Sequence, residues 1–153
     1  MAIATNTRVG RAELEEFLRP RHRGIVMTLR TDGGPQLSPV ACGLDSEGRL
    51  VVSTYPDRAK ANNVRAREQV AVCVLSDEWN GPWVQVEGVG EIIDPPDSVE
   101  PLVEYYRAVA GEHPDWDEYR EAMVRQGKSL LRLTITRWGP IATGGFPAHL
   151  APS

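Results

Sequence analysis

The first half of the chain alternates short apolar segments with turn-forming residues, a pattern typical of antiparallel β-strands. Apolar segments of strand length cover residues 24–30, 35–41 and 49–54. The turns between them are rich in glycine and aspartate, which adopt tight-turn conformations at little steric cost. Because tight turns join strands that run in opposite directions, we expect these three strands to be antiparallel.

The second half adds three more predicted strands. They cover residues 70–75, residues 83–93 and a segment around residues 131–136, where apolar and polar residues alternate. Gly88 and Gly90 lie inside the second of these strands and predict a bulge or a sharp bend there. Such a bend is what a barrel strand needs in order to turn a corner.

Four helices are predicted, mostly from apolar residues at helical spacing and in one case from a cluster of basic residues. The first covers residues 11–18, and a short basic helix follows the third strand at residues 57–67. Residues 99–110 form the third helix, and the fourth begins after Asp115 and ends at Gly127. We interpret the apolar stripe of the fourth helix as core.

Six strands with helices at their edges predict a small, mainly β (α+β) barrel rather than a Rossmann fold. No GxGxxG motif follows a strand, and no P-loop is present. In this interpretation residues 11–137 form the barrel domain, after a flexible N-terminus at residues 1–10. Residues 138–153 form an extended C-terminal tail, for which we consider a crossing to a partner subunit.

Charge is distributed unevenly, and this limits the class of ligand. Residues 1–67 hold eleven lysines and arginines against seven acidic residues, whereas residues 68–153 hold six against fourteen. The asymmetry favours a small anionic ligand near the first half and argues against a nucleic-acid surface, which needs a broad basic face. Neither a membrane helix nor a signal peptide is recognised, so we expect a soluble cytoplasmic protein.

The best candidate for binding chemistry is the basic helix that follows the third strand. Four basic residues lie within ten positions, directly after a strand that ends in Ser53 and Thr54. Hydroxyl and amide donors beside full positive charges suit a phosphate. A solvated surface helix explains the same residues equally well, so both interpretations stay open. The four basic residues are Arg58, Lys60, Arg65 and Arg67.

The sequence offers few residues for other chemistry. Cys42 and Cys73 match no metal or redox spacing, and we expect both to be buried, reduced thiols. The three histidines are scattered, so no metal site is predicted, and no catalytic residue can be named. A chain with a phosphate site but no nucleophile is either a binding module or an enzyme whose cofactor carries the chemistry.

Taken in order, these segments resemble the split β-barrel flavin and deazaflavin superfamily, which includes pyridoxamine 5′-phosphate oxidase. The resemblance extends over nearly the whole barrel domain and is greatest for the branch of small oxidoreductases that use the deazaflavin coenzyme F420. It rests on residues 24–40, on Ser53-Thr54 followed by Arg58-Ala59-Lys60 and Asn63-Val64-Arg65, and on residues 110–120.

The resemblance implies a six-stranded antiparallel split β-barrel with the FMN-binding fold of pyridoxamine 5′-phosphate oxidase. It also implies a homodimer with two cofactor sites at the interface, and two tryptophans that come from the partner subunit. The cofactor ring would lie along the second strand, with its phosphate at the basic helix and its polyglutamate tail near Arg65 and Arg67. The residues assigned to the cofactor in this way are Pro35, Gln36, Ser38, Pro39, Val40, Ser53, Thr54, Arg58, Ala59, Lys60, Asn63, Arg65, Trp79 and Trp83.

The resemblance therefore predicts an F420-dependent oxidoreductase that transfers a hydride between the deazaflavin ring and a small unsaturated organic substrate. Two alternatives stay open: an FMN-dependent oxidase or reductase on the same fold, and a non-catalytic cofactor carrier. Pyridoxamine-phosphate oxidases usually have further arginine and histidine residues near the C-terminus, where this chain offers only Arg137 and His149. The expected partners are a small-molecule substrate and a second copy of the chain, without nucleic acid or membrane.

Overall fold

An antiparallel β-barrel with helices on its outside dominates the computed structural model, which describes residues 2–152. This confirms the predicted fold class. A second, two-stranded sheet joins the segments near the two termini. In chain order the elements are β1 (Thr5–Thr7), α1 (Arg11–Leu18), β2 (Arg23–Leu29), β3 (Pro35–Leu44), β4 (Leu50–Thr54), α2 (Ala59–Ala66), β5 (Gln69–Leu75), β6 (Val84–Ile93), α3 (Val99–Ala110), α4 (Trp116–Gln126), β7 (Ser129–Trp138), β8 (Ile141–Thr143) and a final 3₁₀ turn (Ala148–Leu150).

Six strands close the barrel in the order β2-β3-β4-β7-β6-β5, and every neighbouring pair is antiparallel. Inward-facing apolar side chains from all six strands fill its interior. The register of β6 against β7 shifts between Glu87 and Gly88, which confirms the predicted bulge. A side chain at residue 88 would collide with the Thr134 carbonyl, so the close approach of the two strands requires glycine.

The helices pack in two different places. Through the buried Leu14 and Val64, α1 and α2 complete the barrel core. A separate layer against the outside of β4 is formed by α3 and α4, whose Leu102 and Met123 pack with Val51. The apolar stripe of α4 is therefore core, as predicted. None of the helices within residues 2–152 is long and apolar enough to cross a membrane.

The segments near the two termini differ from the expectation. Thr5 pairs with Thr143 and Thr7 with Ile141, so residues expected to be loose form β1, and the C-terminal segment returns to its own chain. The Thr5 and Thr143 hydroxyls also share a hydrogen bond of 2.7 Å. Strands of three residues carry too little alternation to be recognised, and this pairing depends on contacts that form only in the folded chain.

The barrel has two ends, and the candidate site residues are divided between them. The seven residues of β2 span about 20 Å at ~3.3 Å per residue. At the start of β2, Arg23 pairs with Leu75, the last residue of β5, and the loop that carries Trp79 follows there. Near the finish of β2, Thr28 pairs with Gln36 and lies against α2. We call these the tryptophan end and the α2 end of the barrel.

Candidate functional site

A cluster of positive charge lies where β4 passes into α2. The Arg58 N–H donates to the Tyr55 carbonyl at 3.1 Å, which turns the chain tightly from the strand into the helix. The Arg58 guanidinium carbon lies 5.6 Å from the centre of the Tyr55 ring, and the Lys128 ammonium lies 5.7 Å from the same centre. Within residues 2–152, none of Arg58, Lys60 and Lys128 forms an ion pair with a carboxylate.

Lys60 carries a charge that the surrounding protein does not balance. Its side chain is half-buried. Burial lowers the pKa of the Lys60 ammonium, and the neighbouring Arg58 charge lowers it further. Both effects act against the protonated form, so a bound anion would stabilise the ammonium and oppose both of them.

The N-terminus of α2 adds hydrogen-bond donors to this cluster. Its first intrahelical bond runs from the Asn62 N–H to the Arg58 carbonyl at 3.1 Å, so the N–H groups of residues 59–61 precede the helical ladder. No side chain caps them. The N-terminal end of a helix carries partial positive charge and binds phosphates and carboxylates. The exposed side chain of Ala59 is small and leaves the approach to these groups open.

Thr54 supplies a buried hydroxyl group that lacks a partner. The residue is 5% exposed, and its Oγ1 makes no hydrogen bond within the described residues. Leaving such a group unpaired costs about 1–3 kcal/mol, which a polar ligand would recover. Oγ1 is thus the kind of orphaned donor that a bound phosphate satisfies.

Ser53 does not share this environment with Thr54, because neighbouring residues of a strand face opposite sides. It lies on the outer side of β4 next to Tyr105, whose hydroxyl donates to the Ala41 carbonyl at 2.9 Å. The structure therefore does not bring together the two hydroxyls that the resemblance assigned to one phosphate. Thr54 alone remains a candidate.

Asn63 and Arg67 connect α2 to the last part of β2 through hydrogen bonds. The Asn63 amide donates to the Thr28 hydroxyl at 3.0 Å, and the Arg67 guanidinium donates to the Leu29 carbonyl at 2.8 Å. Thr28 is fully buried, so the first of these bonds lies inside the barrel end. Both side chains therefore fix the position of the helix that presents Lys60.

Arg65, which the resemblance placed at the cofactor, is bound within its own chain. It donates to the Pro56 carbonyl at 2.8 Å and pairs with Asp94 at 2.7 Å. A hydrogen bond from the Ser129 hydroxyl lowers the pKa of the Asp94 carboxyl, and the Arg65 charge lowers it further. The charge of Arg65 is thus already balanced, and its clearest role is to hold α2 against the barrel.

The candidate residues of β3 point to two opposite faces of the strand. Side chains on one face lie opposite Val26 and Thr28, which are buried inside the barrel, and the others face outward. A planar ring lying along β3 therefore contacts the side chains of only one set. The inward set is Gln36, Ser38 and Val40, and the outward set is Pro35 and Pro39.

A cavity of about 580 Å³ lies at the tryptophan end, far from α2 within one chain. It is bordered by Trp79, which is 87% exposed, and Trp83, which is 38% exposed. Because the length of the barrel separates them from Lys60, these tryptophans can reach a ligand at the α2 end only from a second copy of the chain.

Sequence reasoning missed three residues at these two places. Lys128 is distant from Arg58 in sequence and reaches the cluster only through the fold, although it is one of the two lysines in the chain. Phe146 and Cys73 line the cavity at the tryptophan end. No local pattern indicates them, because the segments that carry them meet only in three dimensions.

The cysteines and His113 do not form a catalytic group. Burial raises the pKa of the Cys42 thiol to about 12 and also raises the pKa of the half-buried Cys73, so neither is activated for nucleophilic attack. His113 packs against Tyr106, with ring centres 5.2 Å apart, in the outer helical layer. Within residues 2–152, no group of three or more His, Cys, Asp or Glu side chains could hold a metal ion.

The structure is thus an antiparallel six-stranded barrel with a cluster of positive charge after its third barrel strand. The family model described as pyridoxamine 5′-phosphate oxidase matches residues 11–142. The chain therefore belongs to the pyridoxamine 5′-phosphate oxidase family. Its fold binds flavin-type cofactors, and its members are often oxidoreductases.

Several solved structures share this fold at low sequence identity. A conserved hypothetical protein from Mycobacterium tuberculosis has a TM-score of 0.74 at 20% identity, over 92% of this chain and 89% of the other. An F420 reductase has a TM-score of 0.62 at 21% identity, over 82% and 94%. A heme storage protein from Vibrio cholerae has a TM-score of 0.62 at 19% identity, over 87% and 95%. At these identities the similarity establishes the fold alone.

Proposed function

We propose that the protein is an oxidoreductase dependent on the deazaflavin coenzyme F420. The observation that carries the proposal is the unbalanced charge at the start of α2, where the half-buried Lys60 adjoins Arg58 and the helix end is uncapped. A cofactor phosphate supplies the negative charge and the acceptor oxygens that these groups and the Thr54 hydroxyl lack. The residues present therefore fit a phosphate-bearing cofactor.

A third cation favours a cofactor that continues beyond its phosphate. Lys128 and Arg58 flank Tyr55, and an open cavity of about 600 Å³ is lined by Tyr55, Asp57 and Arg58. FMN ends at its phosphate, whereas F420 continues into lactate and several glutamates. The tail would run past Tyr55 toward Lys128 rather than along α2, where Arg65 is already paired. The shared fold with an F420 reductase agrees with this choice.

When bound, the deazaflavin supplies hydride transfer to or from an unsaturated organic substrate. The chain contributes binding and orientation, which is what proteins provide to such cofactors. Arg58, Lys60 and the first N–H groups of α2 hold the phosphate in this proposal, and Thr54 donates a hydrogen bond to it. Along β3, the outward-facing Pro35 and Pro39 would offer the ring an apolar surface.

The outer face of the barrel favours a homodimer. Met27 of β2 lies between Leu37 of β3 and Ala71 of β5, and Leu37 is 58% exposed. Met27 is half-buried and Ala71 is buried, so the exposed apolar surface here is centred on Leu37, and exposed apolar surface of this kind can mark an interface. In a dimer built on it, Trp79 or Trp83 of one copy would approach the cofactor of the other copy.

An FMN-dependent oxidase or reductase is the second candidate. The phosphate of either cofactor suits the same donors. Arg65 is already paired with Asp94, so its charge no longer distinguishes F420 from FMN. The surviving difference is Lys128, which lies beyond the phosphate donors. A non-catalytic carrier would bind either cofactor without turnover.

Charge reversal at Lys128 tests the choice between the two cofactors. Lys128→Glu should weaken F420 binding about two- to thirty-fold, because exposed charge pairs contribute ~0.2–1 kcal/mol each and a reversal replaces attraction by repulsion. FMN affinity should stay nearly constant. The control is Arg125→Glu, an exposed basic residue in the last turn of α4, which should change neither affinity. Equal losses for both cofactors would favour FMN, and no loss for F420 would refute this path of the tail.

A further inference from the structure

The cavity at the tryptophan end has a chemistry opposite to that of the α2 end. Three aromatic side chains, Trp79, Trp83 and Phe146, border it, and none of its described lining residues carries a charge. Asp77, in the same loop as Trp79, forms a salt bridge of 3.5 Å with Arg23. Asn80 also lines the cavity, and its side-chain amide can both donate and accept hydrogen bonds. The cavity is therefore apolar, aromatic and electrically neutral.

Backbone pairing holds the wall of this cavity in place. Trp83 and Ala142 exchange two backbone hydrogen bonds of 3.0 Å, and the Phe146 N–H donates to the Ala2 carbonyl at 3.0 Å. Gly145 has a φ of +138°, and a side chain on it would lie 2.6 Å from the Ala2 carbonyl, so this crossing of the two terminal segments requires glycine. The part of the wall formed by Trp83 and Phe146 is thus a built feature of the fold.

We propose that this cavity binds the hydride acceptor, and that the acceptor is a planar, uncharged and largely apolar molecule. The proposal rests on the proposed function, in which this end of one copy approaches the cofactor of the other copy. The acceptor gains a hydride from the reduced coenzyme and a proton from solvent, so that one unsaturated bond is reduced by two electrons. The Asn80 amide would orient the polar edge of the acceptor.

Volume and charge together select this class of molecule. A cavity of about 580 Å³ lies within the range of small-molecule sites. Tryptophan faces offer stacking surfaces to flat rings. An anionic substrate would lose its hydration without gaining a cation from the lining, which is costly. Pyridoxamine 5′-phosphate, whose phosphate is doubly charged, therefore does not suit this cavity, although it gives the family its name.

Two matched fluorescent probes test the neutrality of the cavity in protein without cofactor. N-phenyl-1-naphthylamine and 1-anilinonaphthalene-8-sulfonate share the same rings, and only the second carries a negative charge. We expect the neutral probe to bind at one site per chain and at least tenfold more tightly. Trp79→Ala should weaken it at least fivefold. Val124→Ala, which shortens a 54% exposed side chain on α4, is the control and should leave its affinity unchanged.

Cys73 provides an independent measure of where the probe binds. This half-buried thiol lines the cavity, whereas Cys42 is 0% exposed. N-ethylmaleimide should therefore modify Cys73 first, and the bound neutral probe should slow that reaction at least threefold. Tighter binding of the sulfonate, or binding that neither depends on Trp79 nor protects Cys73, would overturn the proposal.

The probe experiment and the cofactor experiments test different claims, so either claim can be refuted without the other. Neutral-probe selectivity in a protein that binds no F420 would refute the proposed function and leave the chemistry of the cavity standing. F420 binding in a protein that prefers the sulfonate probe would uphold the cofactor and overturn the acceptor class.

Discussion

Replacing Lys60 by methionine removes its charge and keeps most of its volume. In protein without cofactor, the pKa of this ammonium is lowered from 10.5, first by burial and then by Arg58. A base whose pKa is lower in the folded state destabilises the fold while it is protonated; this cost is full below the folded-state pKa and disappears as the pH rises from there to the unfolded-state pKa. Lys60→Met should therefore leave the Tm at pH 7 unchanged or raise it.

The same substitution should weaken cofactor binding. A hydrogen bond between an ammonium and a phosphate contributes about 1.5–3 kcal/mol. Because every ~1.4 kcal/mol changes Kd tenfold, the Kd should rise about ten- to hundredfold. Salt should reduce this difference only in part, because Lys60 is half-buried and its charge is less screened than that of an exposed side chain.

Thermal unfolding and quenching of tryptophan fluorescence measure both effects on the same protein. Arg125→Met, at an exposed position of α4, is the matched control and should alter neither quantity. A Lys60→Met protein that binds cofactor like the parent would refute the anion site and return the basic helix to the solvated-surface interpretation. A Tm lower by several degrees would contradict the claim that the charge of Lys60 is unbalanced.

Three further predictions follow from the same contacts. Thr54→Val removes an unpaired buried hydroxyl, so it should raise the free energy of unfolding without cofactor by up to about 1–3 kcal/mol in urea while weakening cofactor binding. Ser129 and Arg65 lower the pKa of Asp94 below 3.8, so this carboxylate stabilises the fold above that pH and loses its effect below it; Asp94→Asn should flatten the acid side of a profile of Tm against pH. Leu37→Arg should convert the proposed homodimer into monomers in light scattering.

A specific result would refute each of these three predictions. A less stable Thr54→Val protein with full cofactor affinity would mean that its hydroxyl is satisfied within the fold. An Asp94→Asn protein with an unchanged acid profile would assign the acid sensitivity to other carboxylates. A parent protein that is already monomeric at micromolar concentration would refute the homodimer.

The elements with a strong local pattern could be predicted from the sequence. All six barrel strands carry apolar runs between turns, and the long helices carry apolar residues at helical spacing. The Asp115 side chain accepts from the Glu118 N–H at 3.1 Å, and Gly127 has a φ of +65°, so the predicted start and end of α4 are confirmed. β1 and β8 were missed, because each is three residues long and depends on the other.

The candidate site was predictable only where it is continuous in sequence. Thr54, Arg58 and Lys60 lie within seven positions, so the sequence brings them together without any knowledge of the fold. The sequence does not reveal that Asp94 neutralises Arg65, nor that Lys128 joins Tyr55, because both contacts connect distant elements.

The central claim is that the basic cluster at α2 binds the deazaflavin coenzyme in preference to FMN. Titration of the purified protein with F420 and with FMN, at low salt and at high salt, measures this preference directly. We expect F420 to bind about 1.4- to fivefold more tightly at low salt, because a charge pair of ~0.2–1 kcal/mol between its tail and Lys128 adds to the shared phosphate contacts. The preference should shrink at high salt, as screening weakens that pair. FMN that co-purifies with the protein, or that binds more tightly than F420 at low salt, would contradict the claim.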